Sequence, residues 1–155
     1  PYGVEFSPNN EILYVSTYYN TPQSEFNNPN AQYGALLQYN LNSNNISNSE
    51  IVIDERQTYR GGLQLGPDGR IYRAMSNTYD NGSPFLSVIK NPNQLGQACD
   101  YEHNSINLGA NSRQGLPPFI ASFFSENIDI IQNGVSSVNL ALCTDDIYTL
   151  SIIHI

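Results

Sequence analysis

Apolar and polar positions alternate along this chain in short runs, and one arrangement of runs is written twice. Residues 3–16 read GVEFSPNNEILYVS and residues 62–74 read GLQLGPDGRIYRA. Each copy opens with a glycine and an alternating stretch, turns at a proline (Ser7-Pro8-Asn9-Asn10, Gly66-Pro67-Asp68-Gly69), and ends a second alternating stretch on small residues. Tyr14 and Tyr72 correspond at an offset of 58 positions, and the stretches 35–41 (ALLQYNL) and 84–90 (PFLSVIK) hold the same place further along each copy. Alternation with period two is the mark of half-buried strands, so the duplication predicts two tandem sheet units.

In the first unit the pattern predicts strands at 3–6, 12–18, 35–41 and 51–54; in the second, at 63–65, 70–75, 85–89 and 105–108. The stretch 20–33, with Pro22, Pro29 and several asparagines, reads as a long loop, and so does the nearly pure Asn and Ser stretch 42–49. Asp80-Asn81-Gly82-Ser83 supplies turn chemistry that tolerates positive φ. Four short strands per repeat, joined by polar turns, is the form one β-propeller blade takes in sequence. The apolar segment 113–124 (RQGLPPFIASFF) predicts a closing strand. Beyond it, 128–131, 138–142 and 148–155 alternate, with Asn133-Gly134 and Thr144-Asp145-Asp146 as turns, as the first strands of a β-sandwich would. The expectation is an all-β chain: a partial β-propeller of about two four-stranded blades plus a closing strand over 1–124, then the start of an Ig-like or PKD-type β-sandwich over 125–155.

A propeller closes with about four to eight blades. Two blades alone leave apolar faces in water and, at 148–155, an uncovered edge. The chain is therefore expected to be an ordered piece of a longer polypeptide, or to be completed by other chains. Its start at Pro1, with no initiator Met and no signal peptide, points the same way.

Composition narrows the partners. Of 155 residues 39% are hydrophobic and 13% charged, which suits polar turns and strand-lining aromatics more than charged helices. The net charge of −8 comes from 14 acidic against 6 basic residues, so no basic patch exists to neutralise a run of phosphates, and nucleic acid is not expected as a partner. No apolar window reaches the roughly 18 residues of a membrane helix, so direct membrane insertion is not expected. Cys99 and Cys143 are the only thiols; with only His103 and His154 beside them they do not assemble a zinc site, and their pairing depends on a separation that sequence does not give.

Candidate chemistry is sparse. His103 lies near Asp100, Glu102 and Ser112, the residue types of a hydrolytic triad, but no GxSxG elbow accompanies them and a polar loop does not fix a base against its acid. Asp54, Glu55 and Asp80 invite a paired-carboxylate glycosidase reading, against which stands the plain one of solvated acids. The loops 77–82 and 27–30 offer oxygen ligands for a calcium ion without matching an EF-hand; no other cofactor is expected. Arg56, Arg60, Arg70 and Arg73 either line a channel and meet an anionic sugar or pair with neighbouring acids. Tyr18, Tyr19, Tyr33 and Tyr79 fall in or beside long loops, where exposed rings stack on sugars. With Asp80 and Arg73 they are the candidate ligand-contact residues; packing inside the fold is the competing role. Asn45-Ile46-Ser47 and Asn81-Gly82-Ser83 match glycosylation acceptors, relevant only in a eukaryote.

The stretches PYGVEFSPNNEILYVS, LLQYNL, LQLGPDGRIYRA, LSVIKNPNQLGQACDYE and SINLGANSRQGLPPFIASFF resemble the propeller region of large Bacteroidetes surface proteins that end in a gliding motility-associated sorting domain and look like type IX secretion substrates. The resemblance covers about 1–124. It departs at Arg73, where a small or apolar residue is more expected, and in the long 20–33 loop. It implies export to the cell surface, a role in adhesion or motility, no established chemistry, and immunoglobulin-like or PKD-type β-sandwich modules after the propeller. The expected function is thus a non-catalytic, secreted scaffold or adhesin segment whose loops bind a protein or polysaccharide. The alternatives are a polysaccharide-active propeller enzyme and a structural stalk or filament subunit.

Overall fold

The computed structural model describes residues 1–116, 128–132, 135–137 and 149–152, in two compact units, Pro1–Pro118 and Phe119–Ile155. The first unit holds two antiparallel four-stranded sheets. Strands β1 (Gly3–Phe6), β2 (Ile12–Ser16), β3 (Gly34–Asn40) and β4 (Ile51–Arg56) pair in sequence order, and β5 (Leu63–Leu65), β6 (Ile71–Ser76), β7 (Gly82–Ile89) and β8 (Tyr101–Ser112) do the same. Only short 3₁₀ turns interrupt the connections, and no α-helix occurs among the described residues. Neither sheet closes on itself. The all-β expectation holds at this level.

The repeat in the sequence is a repeat in conformation. Asn10 and Gly69, the last residues of the two proline turns, both adopt positive φ (59° and 76°), and in each turn their N–H returns to the first residue's carbonyl, Ser7 and Gly66. Asparagine and glycine are the residues that enter this region at least cost.

Alternation then sorts the side chains. Tyr14 pairs Gln38, and Ser16 pairs Leu36, placing all four with Ile12 on one face of the first sheet. On the second sheet Leu63 pairs Arg73, Leu65 pairs Ile71, and Ile71 pairs Ile89. These two faces meet: Ile12, Tyr14, Leu36, Ile71, Ile89 and Cys99 form one buried cluster, flanked by Ile53, Leu63, Leu65 and Tyr101. The Tyr14 hydroxyl donates to the Pro92 carbonyl at 2.9 Å and accepts from Gln38 Nε2 at 2.8 Å. Gln38 also receives the Gly96 N–H at 2.7 Å, tying the β7–β8 connection to the first sheet. Tyr14 and Gln38 thus satisfy each other and the neighbouring backbone, as buried polar groups generally do, whereas the buried Ser16 hydroxyl has no partner among the described residues.

The opposite face of the first sheet is apolar and open. Val4 pairs Val15, Phe6 pairs Leu13, and these pair onward with Leu37 and Tyr39, then Val52. Val4, Phe6 and Val52 are 58%, 48% and 52% exposed.

The second unit contains a three-stranded antiparallel sheet in which β9 (Ile128–Gln132) lies between β10 (Val135–Ser137) and β11 (Thr149–Ile152). The segments 117–124 and 138–142, expected as strands, lie outside the described residues, as do Cys143 and the turn at 144–146.

Candidate functional site

Antiparallel order brings alternate connections to one end of the first unit. There lie Pro1 and Tyr2, the β2–β3 loop (17–33), the β4–β5 connection (57–62), the β6–β7 turn (77–81) and the residues following β8. Backbone bonds knit them: Tyr79 N–H donates to the Phe26 carbonyl at 3.0 Å, Tyr59 N–H to Ser76 at 2.7 Å, and Gly62 N–H to Gln114 at 2.7 Å. Asn27 and Asp80 exchange two bonds, the Asp80 N–H to Asn27 Oδ1 at 3.0 Å and Asn27 Nδ2 to Asp80 Oδ2 at 2.6 Å. The two loops read separately as oxygen-rich thus touch each other. Gln32 locks the long loop from inside, its amide donating to the Glu25 and Asn28 carbonyls. A Cβ on Gly61 would lie 2.1 Å from the Ala74 carbonyl oxygen, so glycine is required where the connection crosses β6.

These loops carry a cluster of rings. Tyr59, buried, is the hub: its ring centroid lies 6.3 Å from Tyr18, 5.9 Å from Phe26 and 6.1 Å from Tyr79. Tyr2 meets Tyr18 edge-on at 6.3 Å, and Phe26 stacks with Tyr79 at 5.9 Å. Such pairs contribute about 0.5–1.5 kcal/mol each beyond buried area. Burial, reinforced by the neighbouring tyrosines, raises the Tyr59 phenol above its ordinary value despite the Arg60 charge. Beside the cluster Tyr19 and Tyr33 pack edge to face at 5.3 Å. A hydrogen bond to Glu55 raises the Tyr33 phenol.

Arg60 sits among the rings. Its guanidinium carbon lies 4.4 Å from the Tyr18 centroid, 4.6 Å from Tyr59 and 5.5 Å from Tyr2, within cation–π range. Its Nε is buried with no acceptor, and among the described residues no carboxylate lies within ion-pair distance.

Arg56, Arg70, Arg73 and Lys90 are engaged by carboxylates. Asp54 on β4 receives Arg56 through Nε at 2.9 and 2.8 Å and Arg73 Nη1, across the seam on β6, at 2.9 Å; Tyr101 adds its hydroxyl at 3.2 Å. Burial alone would raise the Asp54 carboxyl, but the Arg56 hydrogen bond and the charges of Arg73 and Arg56 outweigh it and hold it below the usual carboxylate range. Arg70 pairs with Asp68, and Lys90 with Glu102 and Asp100.

The residues expected from sequence are therefore divided. Tyr18 and Tyr79 enter one cluster, Tyr19 and Tyr33 form a pair beside it, and Asp80 fastens the two loops. Tyr19 and Tyr79 are 65% and 47% exposed. Arg73 lies in no loop: it is a buried strand residue committed to Asp54, and that partner explains an arginine where a small or apolar residue was expected. Asp54, Glu55 and Asp80 do not converge, since Asp54 faces the seam with its arginines while Asp80 holds Asn27. His103 Nδ1 contacts Ser87 Oγ at 3.3 Å, and Ser112 instead donates to the Ser83 and Met75 carbonyls. A cleft of about 340 Å³ beside His103, lined also by Arg56, Thr58 and Asn77, contains no carboxylate; one of about 430 Å³ between β4 and the 96–99 turn contains only Asp100. Sequence reasoning missed Tyr2, Phe26 and Tyr59. Only the Tyr59-Arg60-Gly61-Gly62 run, an aromatic and a cation before two glycines in a short connection, could have signalled them.

The chain matches no protein-family model and no curated protein. What can be said of function rests on the geometry above.

Proposed function

We propose that the two sheets are adjacent blades of a β-propeller, and that the chain is part of a secreted, surface-displayed scaffold or adhesin that binds a polysaccharide or protein through the ring-bearing loop end. The support for the architecture is an equivalence of positions. Val4, Phe6, Leu13, Val15, Leu37 and Tyr39 stand in the first sheet where Leu63, Leu65, Ile71, Arg73, Ser87 and Ile89 stand in the second. The second set faces the first sheet, in a seam that buries Ile71, Arg73, Ser87 and Ile89. The first set is the open apolar face, so a preceding sheet of the same kind, from this polypeptide or another chain, is the occupant its shape and register fit.

The observation that carries the binding role is the gathering of Tyr2, Tyr18, Phe26, Tyr59 and Tyr79 with Arg60 from four separate chain segments, with Tyr19 paired to Tyr33 alongside. Loops held by a rigid sheet scaffold are where recognition resides, and exposed tyrosines bring flat apolar area with a polar tip at small entropic cost. Export by a type IX route and a non-catalytic role are carried over from the resemblance read in residues 1–124 and stand as part of the same proposal. The test is binding of the full polypeptide to a panel of cell-surface polysaccharides and proteins, with Tyr19→Ala and Tyr79→Ala as probes. At least tenfold weaker binding by both variants is the expected result, with unchanged thermal unfolding for Tyr19→Ala and a loss of about 1–3 kcal/mol for Tyr79→Ala, which gives up its ring contacts with Phe26 and Tyr59; affinity that ignores both substitutions would remove the loop end from the reading.

A further inference from the structure

The loop end carries a specific chemical bias. In a chain of net charge −8, four of the six cations, Arg56, Arg70, Arg73 and Lys90, rest on carboxylates. Arg60 does not, among the described residues, although acids outnumber bases and any available one would be drawn to it. It is instead held in contact with three rings, with Nε buried and without an acceptor among the described residues. A buried donor left unpaired is costly, and a guanidinium held in place by packing has little freedom left to lose when an acceptor arrives. Arg113 comes to the same end: the adjacent Gln114 carbonyl accepts from Gly62, two residues from Arg60, and the Gln114 amide donates to the Tyr79 carbonyl at 3.4 Å. Arg113 likewise has no carboxylate partner among the described residues.

On the reading that this end binds ligands, we infer that the ligand is an acidic polysaccharide, with Arg60 anchoring one sugar carboxylate while the exposed faces of Tyr19 and Tyr79 carry neighbouring sugar rings. A guanidinium takes a carboxylate in paired, short hydrogen bonds, and contact with three rings limits the water around it. The chain's own negative charge repels a densely charged polyanion at distances within a Debye length. A polymer with one uronic acid among several neutral sugars fits both facts, because it meets one fixed cation and several rings without massing charge against an acidic surface. Acidic peptides share the carboxylate but not the run of flat polyhydroxylated rings that Tyr19 and Tyr79 are exposed to meet.

The experiment uses the full polypeptide and two probes of identical ring sequence: gellan oligosaccharides, which carry one glucuronate per repeat of several sugars, and the same fragments with the carboxyl reduced to an alcohol. The acidic fragments are expected to bind at least tenfold more tightly than the reduced ones. Arg60→Gln should abolish that preference, and Arg60→Lys should keep part of it, with circular dichroism and melting temperature showing that both variants remain folded. Equal affinity for the two probes, in wild type and in Arg60→Gln alike, overturns the charge-anchored reading while leaving the loop end as a sugar-binding surface. Binding of neither probe, or a preference that survives Arg60→Gln, also overturns it; loss of response to Tyr19→Ala and Tyr79→Ala as well would take the ligand-binding reading down with it.

Discussion

Arg73 and Arg60 each leave guanidinium nitrogens buried without an acceptor, yet the molecule treats them oppositely. Arg73 lies inside the seam between the two sheets, answered by Asp54 and Tyr101; Arg60 lies at the loop end, answered among the described residues by the faces of tyrosines. A buried cation with a carboxylate on the facing sheet fixes how two sheets sit together. One held by rings keeps its strongest hydrogen-bonding capacity for something else. The difference separates a structural arginine from a recognition arginine without appeal to either one's place in the sequence.

The largest effect should come from removing the charge that answers Arg73. Asp54→Ala leaves two arginines facing the seam without their carboxylate and should cost about 3–5 kcal/mol in chemical denaturation. Pairing Asp54→Leu with Arg73→Met should recover most of that loss, since a well-packed apolar pair often equals a buried ion pair. The same carboxylate gives the wild type an acid-sensitive step. Its pKa is lowered in the folded state, so its contribution is present above the unfolded carboxylate pKa, about 3.9, and is lost as pH falls through the lower folded value. Denaturation measured between pH 5 and pH 2 should show this fall in wild type and a flatter profile in the double variant.

Next in size is the open face of the first sheet. If a preceding sheet covers Phe6 in the native polypeptide, Phe6→Asp should destabilise it by about 2–3 kcal/mol, the range for losing a buried apolar side chain. A change under about 0.5 kcal/mol, the usual effect of a surface substitution, would contradict the proposed packing. Below this comes Tyr14→Phe, which deprives Gln38 and the Pro92 carbonyl of one partner each. It should cost about 1–2 kcal/mol, as neutral buried hydrogen bonds do.

The seam was far more legible in the sequence than the loop end. Strands 3–6 and 63–65 read correctly to the residue because short alternating runs there are bounded by glycine and proline turns. β8 was read too short: it runs Tyr101–Ser112, and the positive-φ residues Asn104 and Gly109 break its alternation in the regions where its register with β7 shifts. β2 ends at Ser16 and not at residue 18: at Thr17 the side-chain hydroxyl takes the Ala35 N–H, and Tyr18 turns to Tyr2, Tyr59 and Arg60. The ring cluster has no period to read. It joins positions 2, 18, 26, 59 and 79, and only the meeting of three connections with the residues before β1 at one end of the sheets brings them together. Arg73 misled for the converse reason: alternation placed it on a strand, but its partner Asp54 belongs to the other repeat.

The smallest stability effects should fall at the loop end, where the comparison is sharpest. Arg60→Ala removes cation–π contacts worth about 0.5–1 kcal/mol at a partly exposed site, several-fold less than Asp54→Ala. Tyr19→Ser should change stability by under about 0.5 kcal/mol, because a ring 65% exposed gives up little buried area and keeps only its contact with Tyr33 to lose. Yet Tyr19→Ser should weaken ligand binding at least tenfold in a direct titration of the full polypeptide. A residue that costs the fold almost nothing and costs recognition heavily is what a binding surface requires. If Tyr19→Ser instead lowered the melting temperature as far as Tyr14→Phe does while binding stayed unchanged, the rings would belong to the packing of the loop end, and the distinction between its arginine and the one in the seam would be only a matter of partners.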